Sequence, residues 1–340
     1  MTRSFTFVLL LIVLFIVLAG PMAAQDSSLP VLTPLEANPV FSADPSIGWE
    51  AGGALPLEIL PYNGGWIMFY LGGNAEQTTW SVGYATSEDG LAWTRHDGNP
   101  VFVLDPELGP SGVRDFSVFT TQEQWVMLFV PGGNDSAQSI RVATAPSPEG
   151  PWSIADEAAL AAPGILDWDG AGIAAQMVRQ AGDEYVMYFA GNNWSHPCTT
   201  GKIGRAASPD GFSWTLYDNP ETTRSQFVSS DPVFTANANA SAWDRAFVYG
   251  SLVLPATDGW EMFYSGGNET GREAIGYATS RDGIHWLRQG DAPVLSDPAM
   301  FFFTPIGVVT AENGPYLYYF SSPDRDPAHL TMNAAAVRYP

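Results

Sequence analysis

Apolar residues recur along the chain in short runs that have the length of a buried strand. Four runs share one pattern around a methionine: WIMFY at 66–70, WVMLF at 125–129, YVMYF at 185–189 and WEMFY at 260–264. A divergent copy, YLYYF, lies at 316–320. The four methionines are 59, 60 and 75 residues apart. Self-similarity at a nearly fixed period is the signature of a repeat architecture, and here it predicts five units.

Each unit predicts four antiparallel strands. An apolar stretch precedes the repeated run, and a strand of small residues follows it, as in VGYATS at 82–87 and IGYATS at 275–280. An Asp-Gly turn, which suits a tight hairpin because glycine tolerates positive φ, then leads to a tryptophan. Three units end in this way: Trp93, Trp214 and Trp286. Four-stranded units repeated around an axis form a β-propeller, and we expect these tryptophans to pack between neighbouring blades.

The two ends of the chain predict how the ring closes. The sequence NPVF at 38–41 repeats at 99–102, where it follows the last strand of the first unit. The fifth unit has no tryptophan strand after residues 330–337. We therefore expect Val31 to Leu35 to supply the outer strand of blade five, which pairs the termini and removes a free sheet edge. The predicted fold is an all-β, five-bladed propeller, with residues 25–340 as one domain.

The first residues predict export. Arg3 is followed by an apolar run from Phe5 to Ala19, in which Thr6 is the one polar residue, and by small residues at 23–24. This order is typical of a secretory signal peptide, predicted here for residues 1–24. The run is shorter than the roughly 20 residues of a membrane-spanning helix. An uncleaved anchor is the alternative, and the prediction is a secreted protein that leaves the membrane once the signal is removed.

Charge restricts the class of partner. The formal net charge of −22 repels nucleic acid and anionic membrane surfaces, and it favours a neutral or cationic ligand. Cys198 is the only cysteine, so an intrachain disulfide is impossible and packing must stabilise the fold. We expect a monomer without a cofactor. The alternative to a metal-free protein is a Ca²⁺ ion held by carboxylates of the central funnel.

Acidic residues recur at one phase of three units. Eighteen residues before the central methionine of units one, three and four, an acid follows a tryptophan: Trp49-Glu50, Trp168-Asp169 and Trp243-Asp244. Gathered at a funnel mouth, such carboxyls would raise one another's pKa values and suit general acid/base catalysis. The tryptophans could stack on sugar rings. The alternative is structural, because a pair that repeats from blade to blade also fits a device that builds the blade.

A second position belongs to one unit only. Asp115 lies twelve residues before its methionine, beside Arg114, and the other aligned units lack an acid there. An acid without counterparts is harder to explain as scaffolding, and Arg114 favours its ionised form, which could stabilise a cationic transition state. The alternative is an Arg-Asp pair that holds the crossover between blades one and two. Arg114 and Tyr249 join the three tryptophans as candidates for substrate binding.

The repeat pattern resembles the five-bladed propellers of glycoside hydrolase families 43, 32, 62 and 68, the arabinanase, invertase and levansucrase group. Arg114-Asp115 is similar to the Arg-Asp-Pro motif of the invertase-like members. The resemblance implies that Asp115 stabilises a transition state. It also implies a nucleophile or base at the position of Pro56 and an acid near Ala175-Gln176, so both classical partners are replaced here.

Three functions follow from these patterns. The first is a secreted glycoside hydrolase acting on a neutral oligo- or polysaccharide, with Asp115 as stabiliser, Asp169 or Asp244 as acid and Glu50 as base or nucleophile. The second is a carbohydrate-binding propeller that has lost its catalytic carboxyls. The third is an interaction scaffold in which the repeated acids are architectural.

Overall fold

The computed structural model describes residues 29–133, 139–161, 164, 167–170, 172–192, 201–224, 227 and 229–339. The predicted signal peptide and Cys198 lie outside these residues. The described chain forms five antiparallel sheets, each built around four strands. In four of the sheets these strands run in sequence from the inner strand outward, and in the fifth the outer strand comes from the start of the described chain. The five-bladed all-β propeller predicted from the repeat is therefore confirmed.

The strands follow the order of the repeat. The chain begins with β1 (Val31–Pro34) and β2 (Phe41–Ser42), which join the last blade. Blade one contains β3 (Gly53–Tyr62), β4 (Gly65–Gly73), β5 (Trp80–Ser87) and β6 (Thr94–Arg95). Blade two contains β7 (Val113–Thr120), β8 (Trp125–Pro131), β9 (Arg141–Ala145) and β10 (Ser153–Ile154). Blade three contains β11 (Gly172–Ala181), β12 (Glu184–Asn192), β13 (Lys202–Ser208) and β14 (Thr215–Leu216), with β15 (Pro232–Thr235) paired to β13.

The last two blades complete the ring. Blade four contains β16 (Phe247–Ala256), β17 (Gly259–Gly267), β18 (Glu273–Ser280) and β19 (Trp286–Arg288). Blade five contains β20 (Phe302–Ala311), β21 (Gly314–Ser322), β22 (Thr331–Arg338) and β1, and a short 3₁₀ turn (Pro327–His329) precedes β22. Within the described ranges, no helix is long and apolar enough to cross a membrane.

The N-terminal strand closes the ring as predicted. β1 pairs antiparallel with β22, from Val31 opposite Arg338 to Pro34 opposite Ala335. β2 adds a second short pairing to β22 through Phe41 and Met332. The outer strand of blade five therefore comes from the other end of the chain, so the first and last parts of the domain fold as one sheet.

The closing turns lock neighbouring blades together. In blade four, Asp282 accepts hydrogen bonds from the amides of Ile284 and His285, both at 2.8 Å, which fixes the Asp-Gly turn. Trp286 then packs edge-on against Tyr188 of blade three, with ring centroids 6.0 Å apart. Trp93 of blade one meets Tyr318 of blade five in the same manner, at 6.3 Å. The predicted packing of these two tryptophans between blades is confirmed.

A buried polar link joins the inner strands of blades one, two and three. Ser117 donates a hydrogen bond to Glu58 at 2.8 Å, and Arg179 forms an ion pair with the other oxygen of Glu58 at 3.1 Å. The Val178 amide in turn donates to the Ser117 hydroxyl at 3.3 Å. Burial raises the pKa of Glu58, while Arg179 and Ser117 favour its charged form. These contacts hold three blades in register near the axis.

Candidate functional site

The five inner strands begin at the same end of the ring, which we call the mouth. Each inner strand carries a register shift in its first half, typical of a β-bulge that re-aims side chains. One register position recurs in all five inner strands, directly opposite the third residue after the methionine of the second strand, or after Leu317 in blade five. Leu317 takes the place of the methionine because Gly314 opens its strand as Gly65 and Gly259 open theirs. The position holds Leu55, Asp115, Ala174, Tyr249 and Thr304. Asp115 is the one acid at this level, which supports its choice as a candidate.

Asp115 and Arg114 lie at the bulge of β7. Asp115 is 8% exposed, and one of its oxygens accepts the Phe116 amide at 2.8 Å. Arg114 is exposed, and its guanidinium reaches across to blade three, where it lies 3.7 Å from the position that a Cβ would take at Gly172. The pair therefore sits where the mouth ends of blades two and three meet.

A second cluster lies where the mouth ends of blades four and five meet. Glu273, the first residue of β18, is 5% exposed and accepts hydrogen bonds from the Tyr249 hydroxyl, the Phe303 amide at 3.0 Å and the Thr304 hydroxyl at 3.2 Å. Burial raises the pKa of Glu273 to about 7, against the lowering effect of these three donors. Tyr249 is half-buried, so it connects this proton-holding carboxyl to the mouth.

Glu273 is a candidate that comparison of the first strands alone does not reveal. Five residues before the alanine that pairs with the central position of the second strand, blades one, three, four and five have Trp80, Gly201, Glu273 and Leu330. Unlike residues at one phase are the signal that would have identified it. Tyr249, which the sequence predicts to bind substrate, donates a hydrogen bond to Glu273.

Glu50 is held inside blade one. Its oxygens accept hydrogen bonds from the Tyr70 hydroxyl at 2.7 Å, the Arg95 Nε at 2.8 Å and the Asp44 amide at 3.0 Å, and it is fully buried. Trp49 packs on the ring of Tyr70, with centroids 5.4 Å apart. We call this set of a tryptophan, an acid, a tyrosine and an arginine the clasp.

Blade four repeats the clasp. Asp244, also fully buried, accepts hydrogen bonds from the Tyr264 hydroxyl at 3.0 Å and from Arg288 Nε at 2.6 Å. Trp243 stacks on Tyr264 at 5.8 Å. Arg288 also lies 4.1 Å over the ring of Phe234, a cation–π contact that matches Arg95 over Phe41 in blade one, at 4.3 Å. Glu50 and Asp244 therefore make the contacts expected of an acid that builds its own blade, which is the structural alternative. Any catalytic role for them stays a prediction.

Blade three keeps the tryptophan and the acid of the clasp without its donors. Trp168 stacks on Phe189 at 5.9 Å, where blades one and four have tyrosine, and Leu216 replaces the arginine of the outer strand. Asp169 is fully buried, and neither of its carboxylate oxygens has a hydrogen-bond partner among the described residues. Burial, with a smaller contribution from the nearby Asp167, therefore raises its pKa to about 6.

Blade two shows that the apolar version of the clasp needs no acid. At the phase of the tryptophan and the acid it has Leu108 and Gly109, with Phe129 on the second strand and Ile154 on the outer strand. Three of these side chains pack in the hydrophobic cluster that spans blades one and two. Because blade two dispenses with the carboxyl, packing alone does not explain Asp169.

The predicted acids are thus not gathered at one point. Glu50, Asp169 and Asp244 are each enclosed by their own blade, and no hydrogen bond links them within the described part of the chain. Asp115 lies at the mouth end of an inner strand, and Glu273 contacts the mouth ends of two inner strands through Tyr249 and Phe303. The structure does not describe the side chains of Ala175 and Gln176. Across the described residues, no three His, Cys, Asp or Glu side chains converge as a metal site.

Solved structures share this architecture. The chain superposes with a TM-score of 0.68 and 17% identity on a structure described with the GH130 family of mannoside phosphorylases, which contains hydrolases of β-1,2-mannosidic linkages in Candida mannan; the match covers 92% of this chain and 95% of that one. A glycosyl hydrolase from Bacteroides ovatus matches with a TM-score of 0.68 and 19% identity, over 91% and 94% of the two chains. A β-1,2-mannobiose phosphorylase from Listeria innocua, in complex with β-1,2-mannobiose, matches with a TM-score of 0.62 and 14% identity, over 91% and 96%. At these identities the likeness establishes the shared fold.

No protein-family model and no curated protein sequence matches the chain.

Proposed function

We propose that this propeller acts on a neutral saccharide, as a glycoside hydrolase whose substrate lies at the mouth of the ring. The observation that carries the proposal is the pair of acidic clusters at the mouth: Asp115 with Arg114 on one side, and Glu273 behind Tyr249 on the other. The net charge of −22 favours a neutral over an anionic ligand. The neighbours that act on mannosides make β-mannosides the first substrates to test. Export by residues 1–24 would place this activity outside the cell.

The two clusters divide the chemistry of hydrolysis between them. A pKa of about 7 leaves Glu273 partly protonated at neutral pH, as a general acid requires. When Glu273 is protonated, it donates to the Tyr249 oxygen instead of accepting from it, which frees the Tyr249 hydroxyl to face the saccharide. Tyr249 then passes its proton to the departing glycosidic oxygen and takes the proton of Glu273 in its place. Asp115 acts on the opposite side, where its carboxylate stabilises the positive charge that develops on the sugar ring or activates the attacking water. Water supplies the atoms that complete both products.

A screen of the mature chain against aryl glycosides, β-mannosides and arabinans tests the proposal, with and without phosphate so that phosphorolysis is also detected. Asp115→Asn and Tyr249→Phe are expected to lower kcat by about 10²–10⁴-fold, the range of a lost general acid or base. Asp258→Asn, an exposed acid in the turn between β16 and β17 at the end of the ring opposite the mouth, is the matched control and is expected to retain activity. Turnover that survives both mouth substitutions would contradict this site.

The second candidate function is a carbohydrate-binding propeller without turnover. The clasps favour it, because they engage Glu50 and Asp244 in hydrogen bonds and so remove two of the predicted catalytic acids from the mouth. Pro56 also occupies the position where the resemblance implies a base. Saccharide binding that depends on Arg114 and Tyr249, without product formation on any substrate, would decide for this function.

A further inference from the structure

A groove of about 720 Å³ runs along the outer wall of the ring where blades three and four meet, away from the mouth. Its volume lies within the roughly 300–1,000 Å³ of small-molecule sites. The apolar side is formed by Tyr217, Trp286 and Leu287. Leu287 is 58% exposed, one of the few large apolar side chains that the described chain presents to solvent.

Both aromatic residues of the groove are held in place. Trp286 donates its indole N–H to the Gly283 carbonyl at 3.2 Å and packs edge-on against Tyr188. The backbone of Tyr217 is fixed on both sides. Its amide donates to the Arg205 carbonyl, and its own carbonyl accepts a hydrogen bond from the Asp231 amide, each at 2.8 Å. A ligand therefore meets a preformed aromatic surface, and little ordering is needed when it binds.

Two acids from different blades supply the polar side. Asp231 of blade three is 8% exposed, and one of its oxygens accepts the Asn219 amide at 2.8 Å. Asp282 of blade four is fixed by the amides of its own turn. Burial raises the pKa of Tyr217, and the carboxylates of Asp231 and Asp282 add to this effect, so both acids lie close to the phenol. Arg281, which also lines the groove, offsets part of their charge, and His285 Nδ1 lies 2.7 Å from the second oxygen of Asp282.

At the junction of blades five and one, the positions that correspond to this lining hold apolar residues. The residue after the outer strand there is Leu35, and the residue after the Asp-Gly turn is Leu91. Both pack with Trp93 against a hydrophobic cluster. At the junction of blades three and four the same positions hold Tyr217 and Ile284, and thirteen residues lie between Tyr217 and Asp231 where only five lie between Leu35 and Phe41. The longer connection leaves a mixed aromatic and polar surface open.

We propose that this groove is a second saccharide-binding site, which holds a neutral oligosaccharide on the rings of Tyr217 and Trp286 and hydrogen-bonds its hydroxyls through Asp231 and Asp282. Sugar rings combine an apolar face with a rim of hydroxyls, and the groove offers the complement of both. The lining combines two acids with one arginine, and this low net charge favours a neutral ligand. The proposal rests on the carbohydrate activity proposed for the mouth, and it would let the protein hold a long polysaccharide while the mouth acts on one of its ends.

Affinity gel electrophoresis in galactomannan, yeast mannan and arabinan tests the groove on the mature chain. We expect at least one of these polymers to retard the wild-type protein and the mouth variant Asp115→Asn alike. Tyr217→Ala is expected to weaken the apparent affinity about tenfold, equivalent to losing one aromatic platform at about 1.4 kcal/mol. Tyr339→Ala, which removes a tyrosine that is 46% exposed elsewhere on the surface, is the matched control.

The outcomes separate the groove from the mouth. Retardation that survives both Tyr217→Ala and Leu287→Ser, while Asp115→Asn abolishes turnover, would overturn the groove and leave the mouth intact. If no polymer retards the wild-type protein and no glycoside is turned over, both proposals fail. Concentration-dependent dimers that Leu287→Asp dissociates would show that a second copy of the chain, and not a saccharide, covers this surface.

Discussion

Asp169 and Asp244 are the same residue type at the same phase of two blades, and the structure predicts opposite effects when each becomes asparagine. Asp169 has no hydrogen-bond partner among the described residues, and burial raises its pKa from 3.8 to about 6. Each pKa unit corresponds to about 1.4 kcal/mol, so ionised Asp169 destabilises the folded state by about 3 kcal/mol. Asp169→Asn is therefore expected to stabilise the protein above pH 6, by about 2 kcal/mol because the amide still lacks partners.

The pH dependence follows from the sign of the shift. Because the folded protein holds the Asp169 proton more tightly than the unfolded chain does, wild-type stability falls as pH rises from about 4 through about 6. The gain from Asp169→Asn should therefore be present at pH 8 and nearly absent at pH 4.

Asp244→Asn removes the charged partner of Arg288, whose side chain is 24% exposed. Breaking a fully buried pair costs about 3–5 kcal/mol, and the partial exposure of Arg288 reduces this to about 2–3 kcal/mol. Urea unfolding of both variants at pH 4 and pH 8 measures the two effects. Equal destabilisation by the two substitutions at pH 8 would refute the distinction between a clasped and an unclasped acid.

Three further predictions follow from the same contacts. Phe189→Tyr combined with Leu216→Arg rebuilds the clasp around Asp169 and should raise stability at pH 8, as measured by urea unfolding; a loss of stability there would contradict the equivalence of the blades. Glu273→Gln should leave stability unchanged near pH 5 and raise it by up to about 3 kcal/mol at pH 9, because the wild-type carboxyl, with a pKa of about 7, loses stability as it ionises; equal unfolding curves at pH 9 would contradict this. Deleting residues 29–35 removes β1 and exposes the edge of β22, so the truncated chain should self-associate in light scattering, and a fully monomeric, equally stable product would contradict the closure.

The fold was predictable because every blade solves the same packing problem with the same residues. The methionine runs, the Asp-Gly turns and the missing fifth tryptophan each indicated one part of the ring, including the strand at 31–34 that closes it. A repeated local pattern reports a repeated environment, which is why Trp49-Glu50 and Trp243-Asp244 form clasps within their blades.

The candidate site was less predictable. Counting back from the central methionine misaligns the inner strands, because the bulge falls at Arg114 in blade two and at Leu57 in blade one. Asp115 therefore shares its level with Leu55 and not with Pro56. Glu273 becomes visible only when the third strands are compared.

We propose that the mouth turns over the saccharide while the clasps hold the blades together. Turnover and unfolding free energy, measured side by side on Asp115→Asn and Asp244→Asn, test this division most directly. We predict that Asp115→Asn loses turnover while its unfolding free energy stays near that of the wild type, and that Asp244→Asn unfolds more easily yet still turns over the saccharide while folded. If Asp244→Asn abolished activity at unchanged stability and Asp115→Asn did not, the claim would be contradicted.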